Sequence, residues 1–569
     1  MTGKIVGQYV VDKMEFGDLL SHIPRWVKDV FSLFWDLHAL GAVLSELKAQ
    51  GQFFLSIEGS SVNARCVGSA FLSGVNYLFF RAESDSFIFS QGNSALAWVY
   101  HFESGFLYKK LPQDFSGELG RVLGWCAENG VDDAFFNREA ARFDGFYLGH
   151  PRPFHYFYDH LSAFYELNSY YPGLLRDLDF YGQAEDCFIN VSHLVGGGVV
   201  CKKVEPALLN KYLFNAGGFI FRVVRGANQS FDNYGFRRFI LNYVEEKVSG
   251  DEALSRQLSS LDGEVVIWFG VCAEKRSWYQ QKEAFQSILD KLCLQGRSVT
   301  LLFDGLTAPE GKAECDFSRG ESSDYEYVGS LAESLNFDGK YINMAGLSAW
   351  KKVAFANKVT AFLANCATDS MYPAKISCKS GVGFSASIMR TSQHTHVRTL
   401  KIPKSWVFDD LAEGLNEAKV SFNIDPERVS NLFCSLLEAV KPSVLKVKSK
   451  SCLGSEGEGY KFLISSNDLL SFPVDVNCFS ESGLAAVGSV LLLEDQKLDL
   501  RVEVEGQLGV DVWLECVEKL MSGVSRKRVF RIDRYYTIDG VETKSLSSFK
   551  LSARGRGEFL FFGVSAVFH

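Results

Sequence analysis

Three of the chain's ten histidines, His150, His155 and His160, fall within Gly149-His-Pro-Arg-Pro-Phe-His-Tyr-Phe-Tyr-Asp-His-Leu161, together with Asp159 and a run of aromatics. If Pro153 opens a helix, His155 and Asp159 stand at i and i+4 on one face. An imidazole beside a carboxylate can deprotonate a hydroxyl, and a helix start favours a nearby anion. The plain alternative is a wet helix start whose histidines satisfy local hydrogen bonds.

Three later segments offer ligand-binding groups. Gly270-Val-Cys-Ala-Glu-Lys-Arg-Ser-Trp278 follows an apolar run, and its Lys275 and Arg276 could neutralise a diphosphate with help from a helix N-terminus. Phe303-Asp304-Gly305 places a carboxylate at the tip of another apolar run, where Asp304 could hold a sugar hydroxyl, act as a base or start a turn. Asn365-Cys-Ala-Thr-Asp-Ser370 puts Thr368, Asp369 and Ser370 at a strand-to-helix turn, whose backbone N–H groups and hydroxyls could donate to phosphate oxygens or form a simple N-cap.

The elements that position these groups read most clearly over residues 263–440. Glu264–Phe269, ending at Gly270, is a buried strand. Phe285, Ile288, Leu289 and Leu292 mark a helix that Gly296 ends, and Ser298–Asp304 is a second strand. Strand, helix, strand makes a βαβ unit and a parallel sheet. Helical Tyr327–Leu335, a strand at Tyr341-Ile342, helical Leu347–Lys358 and strand Val359–Leu363 repeat the alternation. Asp425-Pro426-Glu427 then caps a helix carrying Val429, Leu432, Phe433, Leu436 and Leu437.

Upstream, Ile23–Leu47 is helical with a break at Leu40-Gly41, and Phe53–Ile57, Tyr77–Phe80 and Phe87–Phe89 are strands. Residues 111–250 alternate helix and strand, with Gly217-Gly218 leading into the strand Phe219–Val224. Lys446–Gly459 reads as a linker. Period-two runs at Leu498–Val504 and Arg528–Arg534, with Glu558–Phe562 at the end, indicate an antiparallel β domain of accessory role. The expected divisions are 1–250, 251–443 and 457–569.

At 569 residues, 47% hydrophobic and 14% aromatic, the chain is a globular protein of several domains. A net charge of −9 argues against nucleic-acid binding by general basicity. Thirteen scattered cysteines without a C-x-x-C pair fit free thiols in a reducing compartment better than disulfides or zinc. The N-terminus lacks the features of a secretion signal, and no apolar run reaches the roughly 20 residues of a membrane span. The expectation is a cytoplasmic protein, with peripheral membrane contact left open. Motifs of P-loop NTPases, dinucleotide-binding dehydrogenases, zincins and serine hydrolases are missing.

Glu274-Lys-Arg-Ser-Trp-Tyr-Gln-Gln-Lys282, Asn365-Cys-Ala-Thr-Asp-Ser-Met-Tyr-Pro373 and the closing helix together resemble the donor-binding half of GT-B glycosyltransferases. His155-Tyr-Phe-Tyr-Asp-His-Leu161 resembles the His-x-x-x-Asp-x-Leu stretch of family 61-like sugar transferases. The resemblance covers roughly residues 140–440. It implies an α/β fold with two Rossmann-like domains facing a cleft; the α+β segment before it and the β domain after it lie outside the resemblance. It also implies a bacterial enzyme of polysaccharide biosynthesis that moves a sugar from a nucleotide-sugar donor to a glycan or glycosylated surface acceptor. No cofactor and no metal are expected. His155 or Asp159 would be the acceptor-side base, with Asp304 a further catalytic candidate. Gly270, Lys275, Arg276, Thr368, Asp369 and Ser370 would hold the donor. The Glu-rich nucleotide motif of retaining GT-B enzymes is not found, which leaves nucleotide and stereochemistry open. Two alternatives stand beside this: transfer of a keto-sugar acid from a CMP-linked donor, suggested by His150-Pro151, and a non-catalytic glycan-binding or assembly protein with a transferase-like body.

Overall fold

The structure, a computed structural model, describes residues 25–439 except 57–62, 84, 93–94, 110–113, 184–186, 196–200, 226–233, 263, 273–276, 295–297, 311–320, 390–398 and 412–419. Between 452 and 568 it describes the course of strands. The chain divides into two compact units: residues 1–231 with 309–312, and residues 232–308 with 313–569.

The first unit begins with helices α1 (Arg25–Trp35) and α2 (Leu37–Gln50). The break between them falls at Asp36 rather than at Leu40-Gly41. The Asp36 carboxylate caps α2 by accepting from the His38 and Ala39 N–H groups. Gly41 lies inside α2 because the Tyr171 ring packs there: a Cβ on it would stand 2.3 Å from Tyr171 Cε2.

Six strands follow: β1 (Phe54–Ser56), β2 (Asn63–Leu72), β3 (Val75–Ala82), β4 (Asp85–Gln91), β5 (Trp98–His101) and β6 (Phe106–Lys109). They pair antiparallel in chain order. Tyr77, Phe79, Ile88 and Trp98 from this sheet pack on Val122, Cys126, Phe135 and Phe136 from helices α3 (Ser116–Glu128) and α4 (Asp133–Phe136). Strands β1, β3 and β4 lie where the sequence pattern puts them. Strand β2, whose Gly68 and Ser69 dilute the strand pattern, and the four-residue β5 and β6 carry no such signal.

The parallel sheet of this unit comprises β7 (Arg142–Tyr147), β8 (Phe180–Gly182), β9 (Cys201–Lys203) and β10 (Gly218–Arg222), in the order β10-β7-β8-β9. After β7 the chain forms α5 (Pro153–His155), one π-helical turn (Tyr156–Leu161) and α6 (Ser162–Tyr170) before reaching β8. Chain order thus runs outward from β7 to β9, and β10 returns to the other side of β7. The carboxyl ends of β7 and β10 form the place where strand order reverses, the position at which open α/β sheets bind ligands.

The second unit repeats this logic. Helices α7 (Tyr234–Ser249) and α8 (Glu252–Ser259) precede β11 (Val265–Gly270), α9 (Gln281–Leu294), β12 (Val299–Asp304), α10 (Glu321–Glu333), β13 (Lys340–Asn343), α11 (Ala349–Ala356) and β14 (Ala361–Asn365). Helix α12 (Thr368–Ser370) runs on into a second π-turn (Met371–Ile376), followed by β15 (Gly381–Phe384) and β16 (Thr399–Lys401). All six strands are parallel, in the order β13-β12-β11-β14-β15-β16, and the reversal lies between β11 and β14. The predicted face of α9 is buried, and its Phe285 stacks on Phe269 of β11 with ring centroids 4.1 Å apart. Glycine-rich β15 and three-residue β16 escaped the sequence reading. A hairpin of β17 (Val407–Asp410) and β18 (Ser421–Ile424) leads to helix α13 (Pro426–Ala439).

Farther on, Lys497–Gly506 pairs antiparallel with Tyr535–Glu542 and Gly557–Phe568. Val510–Lys519 pairs antiparallel with Ser525–Ile532 and Leu546–Gly555.

Candidate functional site

In the first unit, Pro153 opens the helix after β7 as expected. His155 Nδ1 lies 2.6 Å from Asp159 Oδ2, with 36% and 26% of the two side chains exposed. A carboxylate accepting from Nδ1–H fixes the tautomer that leaves the Nε2 lone pair free as a base. The π-turn carries Asp159, whose main-chain carbonyl accepts from the Arg225 N–H at 2.7 Å. Arg225 in turn pairs with Glu166 of α6. The helix is therefore tied to the loop leaving β10.

His150 and His160 lie behind this dyad. Their rings are 5.8 Å apart, and His150 is 4.6 Å from His155. Burial, reinforced by His155 and Arg222, pushes the His150 pKa down to about 3. Burial and Arg222 likewise hold His160 well below its ordinary value. Both are neutral imidazoles at neutral pH. Because His150 Nδ1 accepts from the Arg152 N–H at 3.0 Å, its proton sits on Nε2.

Arg222 ends β10 and is buried. It donates from Nη2 to the Gly149 carbonyl at 3.1 Å, approaches His160 Nε2 at 3.5 Å and lies over the Tyr147 ring. Gln91 clamps its main chain, donating to Arg222 O and accepting from Arg222 N. Arg222, Arg225 and Gln91 are not among the residues expected from the sequence. A cation within the apolar run Phe219–Val224 was the available signal, since a buried charge needs partners.

In the second unit, β11 and β14 meet closely at the reversal. A Cβ on Gly270 would stand 2.8 Å from the Ala364 Cβ and 3.1 Å from the Asp369 Cβ, so a side chain there would force the strand ends apart. Cys272 lies 3.2 Å from Asn365 Nδ2 and 3.9 Å from Asp369 Oδ2. Gln281 clamps the Cys272 main chain through both amide atoms, as Gln91 does for Arg222. Thr368 and Asp369 are half-buried at the start of α12. Ser370 is buried, and its hydroxyl donates to Ala367 O. Gly270, Thr368, Asp369 and Ser370 thus belong to one strand-end cluster, while Lys275 and Arg276 lie outside the described residues.

Asp304 is placed differently. It is fully buried at the end of β12, 2.6 Å from Lys352 Nζ, which also donates to Gly305 O and Leu306 O. Its charge is matched inside the protein, and the arrangement fastens the loop after β12 to α11.

No protein-family model matches the chain, and no curated protein matches it. Among solved structures, a glycosyl transferase of family 9 from Veillonella parvula overlaps 42% of this chain and 67% of its own, at 10% identity and TM-score 0.23. The ADP-heptose LPS heptosyltransferase II of E. coli overlaps 52% and 76%, at 11% identity and TM-score 0.23. The E. coli heptosyltransferase WaaC with ADP overlaps 42% and 64%, at 11% identity and TM-score 0.21. So loose an overlap identifies neither a shared fold nor an activity for this chain. No described helix is long and apolar enough to cross a membrane; the bent pair α1 and α2 passes the length and composition test together.

Proposed function

We propose that the protein is a glycosyltransferase that uses a nucleotide-sugar donor and a glycan or glycoconjugate acceptor. The observation that carries this reading is the His155–Asp159 dyad, held at the strand-order reversal of a parallel sheet. In the proposed reaction, His155 Nε2 takes the proton of an acceptor hydroxyl as its oxygen attacks the anomeric carbon. Asp159 keeps the Nδ1–H tautomer and steadies the imidazolium that forms. The bond from sugar to phosphate breaks, and the nucleotide departs with the electron pair. Residues around Gly270 and Thr368–Ser370 bind the nucleotide, with Lys275 and Arg276 as counter-charges for the phosphates. No metal enters these steps.

A thermal-shift panel of UDP, GDP, ADP, CMP and dTDP tests donor binding, since a ligand bound only by the folded state raises stability by RT ln(1 + [L]/Kd). Stabilisation by one nucleotide, with slow hydrolysis of the matching nucleotide sugar that His155→Ala abolishes, is the expected result. A response to CMP alone would select the keto-sugar-acid reading. No nucleotide binding and no turnover with any donor would leave a non-catalytic assembly or glycan-binding protein instead.

A further inference from the structure

We propose that Asp85, His101 and Glu103 form a binding site for a first-row divalent cation, zinc being the best fit. The three residues lie in the antiparallel sheet of the first unit, outside its parallel sheet, and the transfer chemistry does not use them. Asp85 begins β4, His101 ends β5 and Glu103 follows in the turn to β6. Their ligand atoms all lie within 4.8 Å of one another.

The imidazole is held before any cation arrives. Its ring stacks on Phe87, the cross-strand partner, at 4.8 Å and 19°. Its Nδ1 lies 2.7 Å from Ser104 Oγ. Glu103 Oε2 accepts from the Ser86 N–H at 2.8 Å, which orients the carboxylate. Such outer partners orient ligands in metal sites.

The remaining imidazole nitrogen faces the two carboxylates. His101 Nε2 is buried and makes no hydrogen bond, although Asp85 Oδ1 is 3.4 Å away and Glu103 Oε2 is 3.2 Å away. As N–H it has no acceptor in line. As a lone pair it confronts two carboxylate oxygens. A cation on the ring axis resolves both cases. In a tetrahedral zinc site with bonds of about 2.0–2.1 Å, neighbouring ligand atoms are separated by about 3.3–3.4 Å, close to the 3.4 and 3.2 Å from His101 Nε2 to the two carboxylates. Arg81, 3.7 Å from the other Glu103 oxygen, balances part of the negative charge. One nitrogen and two carboxylates leave a fourth position for water. Calcium and magnesium, which require more oxygen ligands, fit less well.

Cobalt(II) titration of the chelator-treated full chain tests the site. The expected result is one equivalent bound with tetrahedral d–d absorption, no thiolate charge-transfer band, and displacement by Zn²⁺. Zn²⁺ should raise the melting temperature where Mg²⁺ does not. His101→Gln should abolish the absorption, and Asp85→Asn and Glu103→Gln should each weaken binding at least tenfold. If His101→Gln does not fold, the two carboxylate variants decide. Absence of the band in the folded wild type would overturn the proposal in favour of a plain imidazolium ion pair. So would a band indifferent to all three substitutions, or one carrying thiolate charge transfer.

Discussion

At the scale of single residues, the two half-buried dyad partners and the two buried histidines have separate jobs. Asp159→Asn should preserve the fold and nucleotide binding while lowering transfer by about 10²–10⁴-fold, because the His155 base loses the carboxylate that fixes its tautomer. Equal losses in nucleotide binding and turnover would count against a catalytic role for the dyad. The His150 pKa lies below its unfolded value of 6.5, so the unfolded chain takes up the extra proton. Its contribution is complete above pH 6.5 and is lost as pH falls toward 3, about 2 kcal/mol being gone by pH 5. His160 acts in the same direction. Urea unfolding at pH 7 and pH 5 should therefore show a smaller acid penalty for His150→Gln than for the wild type. The His155–Asp159 pairing could be read from the sequence because an i,i+4 contact is local. The pairing of Asp304 with Lys352 was not legible in the same way, because the two lie 48 positions apart.

At the scale of elements, tight strand approaches and one buried ion pair carry the strongest expectations. Gly145 in β7 has φ +130°, and a Cβ there would lie 2.1 Å from the Asp179 carbonyl oxygen beside β8. Gly145→Ala should cost at least on the order of 1–3 kcal/mol from backbone strain alone, visible as a lower urea midpoint. Lys352→Met should destabilise by about 3–5 kcal/mol because it strands the buried Asp304 charge. Adding Asp304→Leu should recover part of that loss, and strict additivity would show that the pair is not coupled. Long apolar strands such as β11 and β12 were legible from burial on both faces. Short or glycine-bearing strands were not: Gly68 and Ser69 interrupt the apolar pattern of β2, and the pairing of β15 and β16 depends on strands about 15 residues away.

At the scale of the whole molecule, each unit contains a parallel sheet with one reversal of strand order, and each places candidate residues at that reversal. The second sheet announced itself through regular βαβ spacing. The first was legible only as loose alternation, because β8 and β9 have three residues each and β10 closes the sheet from far along the chain. Assigning the first unit by sequence stretch alone also hides a discontinuity: residues 309–312 belong to it, and the Glu310 N–H donates to the Cys187 carbonyl at 2.8 Å.

That late return has a consequence for biosynthesis. At about 5–20 residues per second, a ribosome needs several further seconds after adding Arg225 before Glu310 exists. During that interval the nascent chain holds a finished antiparallel meander and an amino-terminal half still missing its last stitch. Stalled chains ending near residue 250 should be cut by protease around Cys187 more readily than released full-length protein.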